Sequence, residues 1–370
     1  MQDAGVFKKV TELENIHSYE RIGDVEDLEQ AIQLCTESLE LRPTGHPNRD
    51  VSLSNLAIAR LTRYERIGDL EKAIQLYTES LELRPTGHPN RDASLSNLAI
   101  ARLTRYERIG DLEDLEAAIQ LLTESLELRP TGHPNRASSL AKLGRARYSR
   151  SKCIGNLEDL EKAVQLHTES LELCPARHAH HKTSLACLGH SLHYRYKCVG
   201  RQDDLETAIR LQAEALEYCP PYDPSRSYHL NDLGDSIHTQ YSRTGHPDDL
   251  ERAIQLLTVA LDLRPRGSPE RRKSLNNLAG SLRNRYMSLV ERDDLDRAVQ
   301  LHAEALELCP RGHPDWEQFQ KNQAATLKVL SEAHAQLELE GETSPRTQDS
   351  EPEPDLTEDS ELVADENSQA

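Results

Sequence analysis

The 370-residue sequence repeats itself at a nearly fixed interval, and this period limits the folds open to it. Seven prolines mark the period: Pro43, Pro85, Pro130, Pro175, Pro220, Pro265 and Pro310. The first interval is 42 residues and the other five are 45. A fixed period between about 20 and 50 residues is typical of solenoids, propellers and other repeat arrays.

An amphipathic helix precedes each proline. Alanine recurs twelve positions before it, with leucine three positions before the alanine and eight after it, as in Leu28, Ala31 and Leu39. This spacing has the period of a helix and not of a strand. An aspartate stands four positions before every alanine, and we interpret it as the N-cap of the helix. These aspartates are Asp27, Asp69, Asp114, Asp159, Asp204, Asp249 and Asp294.

A second helix precedes the first in each unit, as in the segment SLSNLAIARLTRY at 52–64. Its leucines stand three apart and are followed by Ala or Gly, which lets two helices approach closely. The leucine pairs are Leu53/Leu56, Leu95/Leu98, Leu140/Leu143, Leu185/Leu188, Leu230/Leu233 and Leu275/Leu278. The sequence therefore predicts units of helix A, short turn and helix B, stacked through shared apolar faces.

These residues resemble the tetratricopeptide repeat (TPR). Ala31, Ser38 and Pro43 fall at the spacing of the family's second helix, although the unit of 45 residues is longer than the common 34. The longer unit resembles the arrays of fungal TPR proteins that carry a caspase-like CHAT peptidase, and more distantly those of kinesin light chains. No stretch of peptidase size follows the repeats in this sequence, so no protease residue is carried over.

The resemblance implies an all-α, right-handed superhelical solenoid of about seven helix pairs over residues 1–339. The first helix A is degenerate (6–19), and a last helix at about 316–339 closes the array. Residues 36–71 and 78–113 differ only in Val51 against Ala93, as a recent tandem duplication would leave them. Residues 340–370 hold eleven Asp or Glu against the single Arg346, and we predict a disordered acidic tail there.

Composition narrows the classes of partner. The formal net charge is −19 and aromatic residues are 4% of the chain, so nucleic acid and anionic membranes are not expected as partners. Seven scattered cysteines without a CxxC spacing favour a reducing compartment, and neither a signal peptide nor a membrane span is apparent. We therefore expect a cytoplasmic or nuclear protein.

Nothing in the sequence resembles a nucleotide loop, a nucleophile elbow or a zinc motif, so we expect no enzyme activity, cofactor or metal. The histidines of the repeated Gly-His-Pro loop (His46, His88, His133 and His313) are interpreted as structural, because Gly permits the turn and Pro suits a helix start. The cluster of His178, His180 and His181 lacks a further ligand at a suitable spacing. Cys174, Cys219 and Cys309 share one repeat position and are predicted to fill the core.

In TPR proteins the concave face is lined mainly by helix A and receives extended peptides or helices. The resemblance places these residues on that face: Asn55, Asn97, Lys142, Arg145, His190, His193, Asp232, Asp235, His238, Asn277 and Arg283. They vary between repeats while the leucines do not, as in a binding groove, but a merely solvated face would vary in the same way. Lys142 and Arg145 could hold a carboxylate, and Asp232 and Asp235 a basic residue.

The leading hypothesis is thus a non-catalytic scaffold that binds a protein or peptide. Its rival is a regulatory paralogue or fragment of a TPR–CHAT peptidase system. Self-association through the end repeats is a further alternative, and catalysis by the repeats themselves is the least favoured.

Overall fold

The computed structural model describes residues 25–63, 67–178, 180–266, 268 and 270–343, and every described element is an α-helix. The helices are α1 (Val25–Glu40), α2 (Arg49–Thr62), α3 (Ile67–Glu82), α4 (Arg91–Ile109), α5 (Leu112–Glu127), α6 (Arg136–Ile154), α7 (Leu157–Glu172), α8 (His181–Val199), α9 (Gln202–Glu217), α10 (Arg226–Thr244), α11 (Pro247–Asp262), α12 (Arg271–Leu289), α13 (Arg292–Glu307) and α14 (Trp316–Thr343). Even-numbered helices are A helices and odd-numbered helices are B helices. The predicted all-α repeat solenoid is confirmed.

The chain divides into two compact units, Met1–Leu327 and Lys328–Ala370. In the first unit each A helix packs most extensively against the B helix that follows it. Successive A helices from α4 to α12 also contact one another, whereas no described B helix makes a comparable contact with the next B helix. The A helices therefore line the inner side of the curved array.

The predicted apolar positions form the core. The leucine pairs of the A helices and the Leu–Ala positions of the B helices are all buried. The small residue after each leucine pair is required by close packing, because a Cβ on Gly144 would lie 2.4 Å from Nε2 of His167 in α7. Cys174, Cys219 and Cys309 are buried as predicted.

The A-to-B turns after α4, α6, α8, α10 and α12 use a left-handed residue directly after helix A, whereas Arg63 after α2 has a φ of −83°. Gly110, Gly155, Gly200 and Gly245 all have positive φ, a conformation that glycine adopts without a steric penalty. Val290 takes the same position after α12 with a φ of 60°. These five turns thus keep one conformation at this position although their sequences vary.

The repeated aspartate is not the N-cap that the sequence predicts. In α5 and α7 the caps are Asp111 and Asn156, whose side chains accept hydrogen bonds from the amides of Glu113 and Glu158. Asp114 lies inside the first turn of α5, fully buried. Its carboxylate accepts from Arg102 at 3.0 Å and from Arg105 at 2.7 Å. The aspartate recurs because it ties the start of helix B to the end of helix A.

This ionic link recurs in neighbouring hairpins with one exception. The same pairing joins Arg63 to Asp69, Arg150 to Asp159, Arg195 to Asp204 and Arg285 to Asp294. In the α10/α11 hairpin the arginine is replaced by Gln240, and Asp249 has no ion-pair partner among the described residues. Apolar packing therefore joins α10 to α11 without this link.

The histidine of the Gly-His-Pro loop is structural, as predicted. The amide of Asn135 donates to Nδ1 of His133 at 3.1 Å, and the same bond forms at His46, His88, His178 and His313. Where the loop has Asp223 in place of histidine, its carboxylate accepts from the amide of Ser225 at 2.8 Å. The ring nitrogen thus holds the chain at the entry of the next A helix.

The closing helix α14 ends at Thr343, four residues beyond the end that the sequence predicts. The predicted degenerate first helix A (6–19) lies outside the described residues, and so does the acidic tail from Ser344 onward. Those two expectations, and the domain boundary near residue 339, stay predictions.

Candidate functional site

The candidate site is the inner face of the array. We define it by three positions of each A helix that are spaced three residues apart, such as Lys142, Arg145 and Tyr148 in α6. Of the eleven residues predicted for this face, Asn55 and His193 are buried, Arg145 is exposed and the other eight are half-buried. The face is therefore partly accessible, and its side chains also contact one another between repeats.

The first two described A helices give this face an amide and aliphatic character. Asn55 and Asn97 hold the first position in α2 and α4, with Ile58 and Ile100 at the second. Asn97 is half-buried and has no hydrogen bond to another described residue. Its amide can therefore donate to and accept from a bound backbone.

In α6 the predicted cations have unequal surroundings. Nε of Arg145 donates to Glu107 of α4 at 2.9 Å, and this carboxylate raises the pKa of the guanidinium. Lys142 has only a longer hydrogen bond of 3.3 Å to the hydroxyl of Ser96. Burial lowers the pKa of the Lys142 ammonium, and no described carboxylate pairs with it. Lys142 is thus the cation that lacks an ionic partner.

In α8 and α10 histidines and aspartates make contacts between repeats. Nε2 of His190 lies 3.1 Å from the hydroxyl of Tyr148, and Nδ1 lies 3.9 Å from Asp232. Nε2 of His193 lies 2.9 Å from the hydroxyl of Thr239. These contacts fix both rings on the inner face.

The two predicted aspartates differ in the same way as the two cations. Asp235 forms an ion pair of 2.9 Å with Lys197. Burial would raise the pKa of Asp235, but the positive charge of Lys197 outweighs this effect. The pKa of Asp235 therefore lies well below its usual range. Asp232 has no such cation among the described residues, because burial lowers the pKa of its neighbour His190 and favours the neutral ring.

At the C-terminal end of this face, the amide of Asn284 donates to Nε2 of His238 at 2.8 Å. Asn277 lies 3.5 Å from the side-chain oxygen of Asn231. Burial lowers the pKa of Arg283, which has no carboxylate partner within the described part of the chain. Burial also lowers the pKa of His193 to about 3 and of His238 to about 4, so both rings are neutral at pH 7.

The structure adds inner-face residues that the sequence prediction omitted. Tyr148 stands 45 positions before His193, and Cys187 stands 45 positions after Lys142. Applying the repeat period to the predicted residues would have found both. Glu107 has no such signal, because its role as the partner of Arg145 depends on packing between two hairpins.

No group of three His, Cys, Asp or Glu within the described ranges could hold a metal ion. In the predicted histidine cluster, Nδ1 of His178 accepts from the backbone, and Nδ1 of His181 lies 2.6 Å from the carbonyl oxygen of Cys174. Among the helices described, none is both long enough and apolar enough to cross a membrane.

Comparisons with known proteins agree with the repeat geometry. Residues 52–88 match the family model of the tetratricopeptide repeat. No curated protein sequence matches the chain significantly. The apo form of the quorum sensor NprR from B. thuringiensis is similar in structure, with a TM-score of 0.55 and 12% identity over 88% of each chain.

Two further solved structures are similar with lower scores. The nearly identical TPR-like repeats of a Podosopora anserina protein, named as a kinesin light chain, give 21% identity and a TM-score of 0.42 over 58% of this chain and 98% of that one. Human IFIT1, solved with m7Gppp-AAAA, gives 16% identity and a TM-score of 0.48 over 89% of this chain and 66% of that one. The resemblance to fungal CHAT proteins is not confirmed by any match and stays a prediction.

The matched repeat model, the regular hairpins and the fold shared with NprR together show that this chain is built as a tetratricopeptide-type repeat array.

Proposed function

We propose that this protein is a non-catalytic scaffold whose inner face binds a segment of another protein. TPR proteins are generally interaction scaffolds. The observation that best supports a scaffold here is the contrast between the two sides of each A helix. The leucines facing helix B are the same in every described repeat, whereas the inner positions change from amide to cation, imidazole and aspartate.

The unpaired charges suggest the chemistry of the partner. Three inner-face residues, Lys142, Asp232 and Arg283, carry charges that lack an ionic partner among the described residues. Lys142 and Asp232 lie on α6 and α10, two repeats apart. Arg145 and Asp235 already pair with Glu107 and Lys197. A partner segment with an acidic group near α6 and a basic group near α10 would complement this face.

We propose neither a nucleic acid nor a membrane as a partner, because the chain is acidic. The fold itself plays no part in this argument. A cytoplasmic or nuclear location is proposed on the cysteines, because all seven are free thiols in the structure. The peptidase-related alternative has no observation in its favour beyond the length of the repeat.

Affinity capture from cell extract tests the proposal. The inner-face variant Lys142→Glu/Arg145→Glu is compared with the matched outer variant Lys162→Glu/Arg210→Glu, whose cations lie exposed on the B helices α7 and α9. We expect the inner variant to lose partners that the wild type and the outer variant retain. Circular dichroism confirms that both variants are folded. Identical partners for all three proteins would contradict the proposal.

A further inference from the structure

One set of contacts joins residues that are more than 150 positions apart. The loop between α13 and α14 reaches back to the ends of α4 and α6, and the start of α12 reaches the same place. We call this set the clasp. It consists of Glu107, Gly110, Lys152, Arg272 and the loop His313–Asp315. All of these residues lie within the first compact unit.

An ion pair forms the first part of the clasp. Nζ of Lys152, at the end of α6, lies 2.7 Å from Oδ1 of Asp315. Asp315 is buried, whereas Lys152 is 43% exposed. Burial would raise the pKa of Asp315, but the charges of Lys152 and Lys273 outweigh it and hold this pKa well below its usual range. The carboxylate therefore depends on these cations.

A shared carbonyl oxygen forms the second part. The carbonyl of Glu107 lies in the last turn of α4, where a helix leaves such groups without an intrahelical donor. It accepts from Arg272 at 3.1 Å and lies 3.2 Å from Nε2 of His313. Nδ1 of His313 accepts from the amide of Asp315 at 3.0 Å, and Nε2 of His313 also lies 3.0 Å from the guanidinium of Arg272.

A close backbone approach forms the third part. A Cβ on Gly110 would lie 2.6 Å from Cδ of Pro314. The equivalent glycines Gly155, Gly200 and Gly245 would meet nothing within 4 Å. All four have the same positive φ, so contact with the returning loop is what sets Gly110 apart.

The clasp and the inner face share one residue. Glu107 binds the loop through its backbone carbonyl, and it binds the inner-face Arg145 through its carboxylate. In the part of the chain that the structure describes, no apolar cluster includes residues from both sides of the clasp. The clasp can therefore separate without exposing the core of any hairpin, because polar contacts and one glycine–proline contact hold it.

We propose that the clasp is an intramolecular latch that closes the inner face between α4 and α12 and opens to admit a partner segment. The role in partner access rests on the proposed scaffold function. The existence of the latch does not, because opening can be measured without a partner.

Thiol labelling and small-angle X-ray scattering test the latch in the full chain. Cys187 lies half-buried on the inner face, and Cys198 is exposed and serves as the reference. In the variant Lys152→Glu, repulsion from Asp315 should open the latch. Loss of one hydrogen bond to a charged group shifts an equilibrium roughly tenfold or more, so we expect N-ethylmaleimide to label Cys187 about tenfold faster. The rate at Cys198 should not change, and the radius of gyration should increase.

Two sets of controls separate opening from local damage. The charge-swapped variant Lys152→Glu/Asp315→Lys should restore slow labelling and the smaller radius. Gly110→Ala and Gly155→Ala carry the same left-handed strain, but only Gly110→Ala collides with Pro314 and should open the latch. Unchanged labelling of Cys187 in folded Lys152→Glu, or equal labelling in the two glycine variants, would overturn the proposal. A latch that opens as expected, together with identical captured partners for the wild type and for the inner and outer variants, would instead refute the scaffold function alone.

Discussion

Replacing His302 by leucine should stabilise the protein, and the gain should grow in acid. His302 lies in α13 at 1% exposure, and neither ring nitrogen has a hydrogen-bond partner among the described residues. Leu122 and Leu257 occupy the same repeat position and are equally buried, so the site accepts leucine. A buried polar group without a partner costs about 1–3 kcal/mol, which His302→Leu should recover at pH 7.5.

The pH dependence follows from the pKa of the ring. Burial lowers the pKa of His302 to about 4, from 6.5 in an unfolded chain. Between these values the unfolded state binds the proton and the folded state does not, so this histidine destabilises the fold as the pH falls from 6.5 to 4. At pH 4.5 the difference amounts to about 2.5 kcal/mol. The advantage of His302→Leu should therefore be larger at pH 4.5 than at pH 7.5 by about that amount.

Urea unfolding followed by circular dichroism at both pH values measures the gain. Comparing the variant with the wild type at each pH cancels the titration of the other groups. Because repeat arrays can unfold in parts, hydrogen exchange of the α13 amides gives a local reading of the same free energy. If His302→Leu stabilises the protein equally at the two pH values, the lowered pKa of His302 is refuted. If it destabilises the protein at pH 7.5, the conclusion that the buried ring lacks a partner is refuted.

Three other predictions concern links between helices. Arg264 is buried, and no described carboxylate pairs with it, whereas the equivalent residues Arg84 and Arg129 each pair with an aspartate. Ser227→Asp should supply this partner and stabilise the fold by about 1–2 kcal/mol in thermal unfolding. Asp114→Asn removes the partner of two arginines and should cost about 2–3 kcal/mol in urea unfolding, whereas Asp249→Asn should cost little. His133→Ala should cost about 1 kcal/mol by the same assay, because the amide of the next helix start loses its acceptor.

Matched variants check these three predictions. Ala137→Asp places a carboxylate at the position equivalent to Ser227. In this repeat Cys174 occupies the position equivalent to Arg264, so the new carboxylate has no cation to pair with and the change should destabilise the fold. His133→Asp should be tolerated, because Asp223 makes the equivalent bond. Each prediction is contradicted if its two matched variants have equal effects on stability. The pairs are Ser227→Asp with Ala137→Asp, Asp114→Asn with Asp249→Asn, and His133→Ala with His133→Asp.

The sequence predicts the helices and their buried faces well, because both depend on local spacing. A leucine three residues from alanine lies on the same face of a helix whatever surrounds it. The period of 45 then places equivalent residues at equivalent sites, which is why Cys174 and the leucine pairs were assigned correctly. Periodicity also supports the structural reading of the Gly-His-Pro histidines.

What the sequence does not reveal depends on contacts between elements. The aspartate of helix B fits the pattern of an N-cap, and only the position of Arg105 on the preceding helix shows that it serves an ion pair. The clasp is even harder to predict from the sequence, because Lys152 and Asp315 are 163 positions apart. No local pattern distinguishes Gly110 from Gly155, since both serve the same turn and only one meets the returning loop.

Site-specific photo-crosslinking tests most directly whether the inner face binds the partner. A photoreactive residue is placed at Arg145, on the inner face, or at Arg210, on the outer B helix α9; both side chains are more than half exposed. Irradiation in cell extract should join a partner protein to the chain from position 145 and not from position 210. Equal crosslinking from both positions, or crosslinking from position 210 alone, would contradict binding at the inner face.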